Sequence, residues 1–172
     1  MKILEFRRHT KRSKSSPHIN QDGVDKARNL GNKLGKYDLV VSSCAPRAIE
    51  TAVAMGYAVD EICDEISKTP DSIEDEVVWG LNFEEFAKVI RKKGKTHEYV
   101  QQLADFVLDF SDKIPENGTA LMISHGGLLE LLTIGCFPNE DYKSWGKYLS
   151  TCEGVKIYIK DRSFEKVELL RI

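Results

Sequence analysis

Three short apolar runs constrain this chain more than any other feature. Each closes on polar residues, and each is followed by a stretch with helical spacing: "ILEF" within residues 2–7, "LVV" within "YDLVVSS", and "TALMIS". Unbroken apolar runs of this length suit strands covered on both faces, as in parallel sheets. The segments between them read as helices. Asn20 is placed to cap a helix running to about Lys33. Val24, Ala27, Leu30 and Leu34 make its apolar face, and Gly31 and Gly35 weaken or end it. "APRAIETAVAM" carries Pro46 in a first turn, where proline is tolerated, and stops at Gly56. "LLELLTIGC" is apolar on most sides, which marks a buried helix.

The remaining segments complete the pattern. "VDEICDEI" is read as a third strand and residues 67–82 as irregular. Phe83–Arg91 is a short helix whose end meets the cations of "RKKGK", and a further helix runs from Glu98 until Pro115 closes it. "VKIYIK" alternates, as does part of "FEKVELL"; they read as a late hairpin turning at Asp161–Ser163. Strands alternating with helices predict an α/β fold: a three-layer α/β/α sandwich with a mainly parallel, mixed sheet, in one domain over residues 1–172.

Composition narrows the functional classes. With 172 residues and 41% hydrophobic content the chain has enough material for an ordinary core. Lys and Arg number 25 against 27 Asp and Glu, a balance that does not suit a dedicated nucleic-acid binder. The charge is uneven, however. "RRHTKRSK" holds five cations and no acid, whereas residues 60–76 hold eight acids and one lysine. Cys44, Cys63, Cys136 and Cys152 are scattered without a CxxC pair, so neither a zinc signature nor a disulfide framework is read. The first apolar run is too short for a signal peptide, and no stretch is long enough to span a membrane. A cytoplasmic protein in a reducing compartment is expected.

The polar residues recur at equivalent places. The first strand ends in Arg8-His9. The second ends in Ser42-Ser43, with Arg47 in the first turn of the next helix. A later strand ends in Ser124-His125-Gly126-Gly127. In a covered parallel sheet, ligands collect where strand C-termini, loops and helix N-termini meet. Arginine presents a planar fork of donors suited to phosphate. Helix N-termini add N–H groups, and Gly126 and Gly127 allow backbone to approach an anion. Two arginines and two histidines are therefore expected to converge on one small volume.

"RRHT", "SSCAPRAIETA" and "ISHGG" together resemble, in order, the three signatures of the histidine phosphatase superfamily, the phosphoglycerate mutase-like fold. "INQDGVDKARNLGNKL" also resembles that family's helix after the first signature, and the likeness covers roughly residues 2–135. The resemblance implies a covalent mechanism without metal or cofactor. His9 attacks phosphorus, while Arg8, Arg47 and His125 hold the phosphoryl oxygens. Thr10 stands where the family usually has glycine, and offers the phosphate a backbone amide and a hydroxyl. Ser15 and Gly126 are further candidates for substrate binding. Lys11, Arg12 and Lys14 are expected at the pocket mouth, and Arg7, pointing to the other side of its strand, in a structural role. The family's proton donor is usually a carboxylate on a segment after the third strand. Glu65 is the first candidate, with Asp64, Glu74 and Asp75 as alternatives. Short members, the protein phosphohistidine phosphatases, resemble this chain in length and lack an obvious acid.

The leading expectation is a metal-independent phosphatase acting on phosphomonoesters through a phosphohistidine intermediate. Its partner would be a small phosphorylated substrate or a phosphoprotein, with neither nucleic acid nor membrane involved. The alternatives are a phosphoglycerate mutase-like phosphotransferase, a protein phosphohistidine phosphatase and a non-catalytic phosphate-binding protein. His18 and His97 read as solvated surface histidines. Trp79 and Trp145 read as core or lid packing rather than substrate stacking. The leaving group and the oligomeric state are not written in the sequence.

Overall fold

A computed structural model describes residues 1–172. In chain order the strands are β1 (Lys2–Arg8), β2 (Leu39–Ser42), β3 (Glu61–Ile62), β4 (Thr119–Ser124), β5 (Gly154–Lys160) and β6 (Ser163–Leu170). The helices are α1 (Gln21–Gly31), α2 (Pro46–Ala54), α3 (Phe83–Ile90), α4 (Lys95–Ser111) and α5 (Leu128–Cys136). One six-stranded sheet has the order β3-β2-β4-β1-β5-β6. Its first four strands are parallel, and β5 and β6 run antiparallel at the other edge.

The side-chain period of two divides the core. Leu4 and Phe6 of β1, Val41 of β2 and Ala120 and Met122 of β4 face a cluster that includes residues of α3, α4 and α5. Val40, Leu121 and Ile123 face the opposite cluster, with Ala27 and Leu30 of α1 and Ala48 and Ala52 of α2. Helices thus cover both faces of the parallel strands, as their unbroken apolar runs require. Burying a side chain such as Leu4 or Phe6 contributes roughly 1.5–3 kcal/mol each.

Two elements differ from the sequence expectation. The strand expected in "VDEICDEI" pairs only at Glu61–Ile62. The chain turns immediately afterwards: Ser67 Oγ donates to the Cys63 carbonyl, and Ser67 N–H to that of Asp64. Helix α4 begins at Lys95, earlier than Glu98. The Glu76 carboxylate accepts from the N–H groups of Lys95 and Thr96 and from the Thr96 hydroxyl, all within 2.9 Å. A cap supplied from so far upstream leaves no local signal. The late hairpin turns as expected, with Asp161 and Arg162 at φ 49° and 57°.

Candidate active site

Parallel register brings the three polar strand ends to one level. Arg8 lies opposite Ser124, and Ser42 opposite Ile123. The ladders continue one step: His9 N–H donates to the Ser124 carbonyl and Ser43 N–H to the Ile123 carbonyl, each at 2.9 Å. His9, His125 and Ser43 therefore leave adjacent strands side by side, with β4 in the middle. The ring centroids of His9 and His125 are 5.2 Å apart.

Arg47 joins the two rings from the first turn of α2. Its Nε donates to His9 Nε2 and its Nη2 to His125 Nδ1, both at 3.1 Å. These contacts fix the tautomers, because a guanidinium only donates. His9 Nδ1 is 2.7 Å from the Thr10 carbonyl, which only accepts, so the His9 proton sits on Nδ1 and Nε2 keeps its lone pair. His125 Nδ1 accepts from Arg47, so its Nε2–H donates to Ser43 Oγ at 2.8 Å. Both rings are held neutral. Burial, chiefly, pushes His9 down to about 4, with the Arg47, Arg8 and Arg12 charges adding to it against the Thr10 hydrogen bond. Burial, then the His9, Arg47 and Arg8 charges, push His125 down to about 3.

Arg8 reaches the same place from β1. Its Nη1 donates to the Leu149 carbonyl at 2.6 Å, while its Nε is buried without a hydrogen-bond partner in the protein. A Cβ on Gly126 would lie 2.6 Å from the Arg8 Cζ, so the missing side chain is what admits the guanidinium against the turn. The role expected of Gly126 thus changes: it makes room for Arg8. Glu130 supports this corner from beneath. Its carboxylate accepts from the N–H groups of Gly127 (2.6 Å) and Leu149 (2.7 Å), which ties the α5 N-terminus to the segment that holds Arg8. Arg12, though exposed, makes its charge felt at both His9 and Arg47, whereas Lys11 is drawn toward Asp22.

Three sequence candidates stand elsewhere. Thr10 is fully buried, its N–H donates to Thr51 Oγ1 and its hydroxyl to the Gly23 carbonyl. Neither group is available to a phosphate, and it is the Thr10 carbonyl that serves the site, through His9. Ser15 sits in an exposed loop closed by the Arg12–Ile19 bridge, where its hydroxyl meets only Ser13. Glu65 is exposed and faces Gln102 and Phe106 of α4 across surface hollows that neither His9 nor His125 lines. Its carboxyl is held below the usual range by its own backbone N–H and the Cys63 thiol, the opposite of what a proton donor needs. No carboxylate hydrogen-bonds either histidine.

Sequence reasoning missed Ser43, Glu130 and the Leu149 carbonyl. Ser43 was signalled by its place at a strand end. The other two act through backbone contacts between distant segments, which no local pattern announces.

No family model matches the sequence, and no curated protein does. Solved structures match over nearly the whole chain. A phosphoserine phosphatase from Entamoeba histolytica, solved with 3-phosphoglyceric acid, aligns with a TM-score of 0.74 at 16% identity, covering 100% of this chain and 98% of that one. A phosphoglycerate mutase from Bacillus anthracis gives 0.68 at 17% identity, over 98% and 92% of the two chains. A mycobacterial glucosyl-3-phosphoglycerate phosphatase, solved with VO3, gives 0.67 at 14% identity, over 99% and 98%. The chain therefore has the phosphoglycerate mutase-like fold, the architecture these histidine phosphatase superfamily structures share.

Proposed function

We propose that this protein is a metal-independent phosphatase that transfers a phosphoryl group from a phosphomonoester to His9 and then to water. One observation carries the reading: a neutral histidine whose Nε2 lone pair is directed by a Thr10 carbonyl contact toward Arg47, beside a second neutral histidine. In the first step Nε2 attacks phosphorus, the N–P bond forms and the bond to the leaving oxygen breaks, that oxygen taking its proton from solvent water. In the second, water attacks phosphorus and gives a proton to solvent, the N–P bond breaks with its electron pair returning to Nε2, and phosphate leaves. Arg47 must move its Nε donor from His9 to a phosphoryl oxygen, which frees the lone pair as it binds the substrate. The guanidinium donors of Arg8 not given to Leu149 and the His125 ring complete the cradle, and the fixed cations supply the neutralisation that phosphoryl transfer depends on.

The substrate is a small phosphorylated molecule or a phosphoprotein. A protein phosphohistidine is the second reading, favoured by the lack of a carboxylate at His9. An imidazole departs from phosphorus with less help from a positioned acid than an alkoxide does. Four free cysteines fit a reducing, cytoplasmic setting, and no helix is long and apolar enough to cross a membrane.

Rapid quench with labelled substrate tests the proposal. The expected product is an acid-labile, alkali-stable adduct on the peptide containing His9, formed equally with chelator present. His9→Ala should lose the adduct and on the order of 10⁴-fold or more in turnover. Label on Ser43 or Cys44, with His9→Ala still active, overturns the assignment.

A further inference from the structure

Trp79 lies across the turn that carries His125. Its Cε3 is 2.8 Å from the place a Cβ on Gly127 would occupy, so the indole rests on the bare Cα two residues after that histidine. Gly126, between them, carries the Arg8 guanidinium in the same way. One short turn thus seats the histidine, the arginine and the indole in succession. Gly127 has φ +85°, a conformation side chains rarely adopt, and its N–H is tied to Glu130, so the seat is rigid.

The indole also packs toward the core. Its ring centroid is 6.5 Å from that of Phe86, which is fully buried, and the chain beyond is fixed by the capping box between Asn82 and Glu85. Yet Trp79 keeps 46% of its surface exposed and Val78 69%. Trp145 is the contrast: it packs edge-on against both Phe83 and Tyr142, with centroids 5.1 Å away in each case. Trp145 packs against the core, whereas Trp79 packs on Phe86 and Gly127 and still keeps nearly half its surface open. A second exposed aromatic, Tyr148, precedes the Leu149 carbonyl that holds Arg8.

We infer that Trp79 is a specificity-determining residue that stacks on an aromatic leaving group of the phosphorylated substrate. The inference rests on the phosphatase reading for the position of the phosphoryl group. The turn at Gly127 sets the half-exposed indole beside the phosphoryl group proposed between Arg8, Arg47 and His125, so that an ester substituent leaving the site on this side would run onto it. A planar ring covers that apolar surface and stacks on it. A short aliphatic or strongly hydrated substituent does neither.

Two phosphonates that cannot be hydrolysed at phosphorus test this without turnover. Benzylphosphonate should bind the wild-type protein about 5–100-fold more tightly than methylphosphonate, the range that stacking on one aromatic ring confers. Trp79→Ala should bring that ratio close to one, and Trp79→Phe should keep most of it. The circular dichroism spectrum of each variant checks folding. A ratio unchanged in Trp79→Ala, with methylphosphonate still bound, overturns the stacking role and leaves the phosphatase reading intact. Failure of the wild type to bind either phosphonate overturns both.

Discussion

Arg7 and Arg8 are neighbours on one strand and meet opposite fates. Arg7 turns to the α1–α2 side of the sheet, where Glu5 accepts from its Nε at 2.7 Å and the Cys152 carbonyl from its Nη1 at 3.1 Å. Lys156 adds a second cation beside the same carboxylate, at 3.4 Å. Arg8 turns to the other side, spends one donor on a neutral carbonyl, and keeps a buried Nε with no partner. A charge matched by an opposite charge is finished within the protein. A cation held only by a carbonyl still attracts an anion. The basic run "RRHTKRSK" is thus two different things, and the alternation of one strand separates them.

Exchanging the two residues for alanine sharpens the contrast most. Arg8→Ala should lower kcat/KM about 10²–10³-fold, the usual loss when one donor to transition-state charge is removed. Its unfolding free energy should fall by only about 1 kcal/mol, from the Leu149 carbonyl left without its partner. Arg7→Ala leaves Glu5 buried without its closest cation and should cost about 3–5 kcal/mol of stability. The fraction that remains folded should keep near-normal kcat/KM. Urea melts and steady-state kinetics on both variants decide the matter; equal kinetic losses would dissolve the distinction between the two faces.

The histidines set a second, smaller contrast, between acid and neutral conditions. Burial, chiefly, pushes His9 down to about 4 and His125 down to about 3, both below the ordinary 6.5. Above that value neither state binds the extra proton, and the pair carries no penalty. As pH falls below it, the unfolded chain takes up protons that the native rings refuse, so stability declines with acidification until the native rings titrate. Between pH 7 and pH 5 each ring should account for about 2 kcal/mol of the loss. His125→Gln should therefore flatten the pH dependence of the unfolding free energy measured by urea titration. An unchanged slope would mean that the ring is not held neutral by its surroundings.

The site was legible where a residue's role follows from its place at a strand end. Arg8, His9, Arg47 and His125 converge because parallel register aligns those ends, and unbroken apolar runs announce parallel register. Legibility fails where one segment completes another. The Glu76 cap on α4, the Glu130 clamp on Leu149 and the engagement of Thr10 with Thr51 and Gly23 all join residues distant in sequence through a few polar contacts. Periodicity reports what a segment buries; it does not report which distant amide its side chain will meet. Trp79 belongs with these cases, since only the fold shows that one indole packs edge-on against two rings and the other stands nearly half open.

Glu65 offers the smallest effect, through a contrast between two substrates. By its place in the chain it is the first candidate to protonate a leaving group. The fold sends it to the α4 side, and its hydrogen bonds favour the charged form. Glu65→Gln should therefore change kcat/KM by less than about twofold on both p-nitrophenyl phosphate and an alkyl phosphate. A true donor would spare the nitrophenolate, which leaves without a proton, and slow the alkoxide by about 10²–10⁴-fold. The comparison is internal to each variant, so errors in protein concentration cancel. A selective loss on the alkyl substrate would show that the loop after β3 moves Glu65 to the phosphoryl group during turnover. An equal response places the burden of protonation on water or on His125, whose ring gains proton affinity once an anionic phosphoryl group lies beside it.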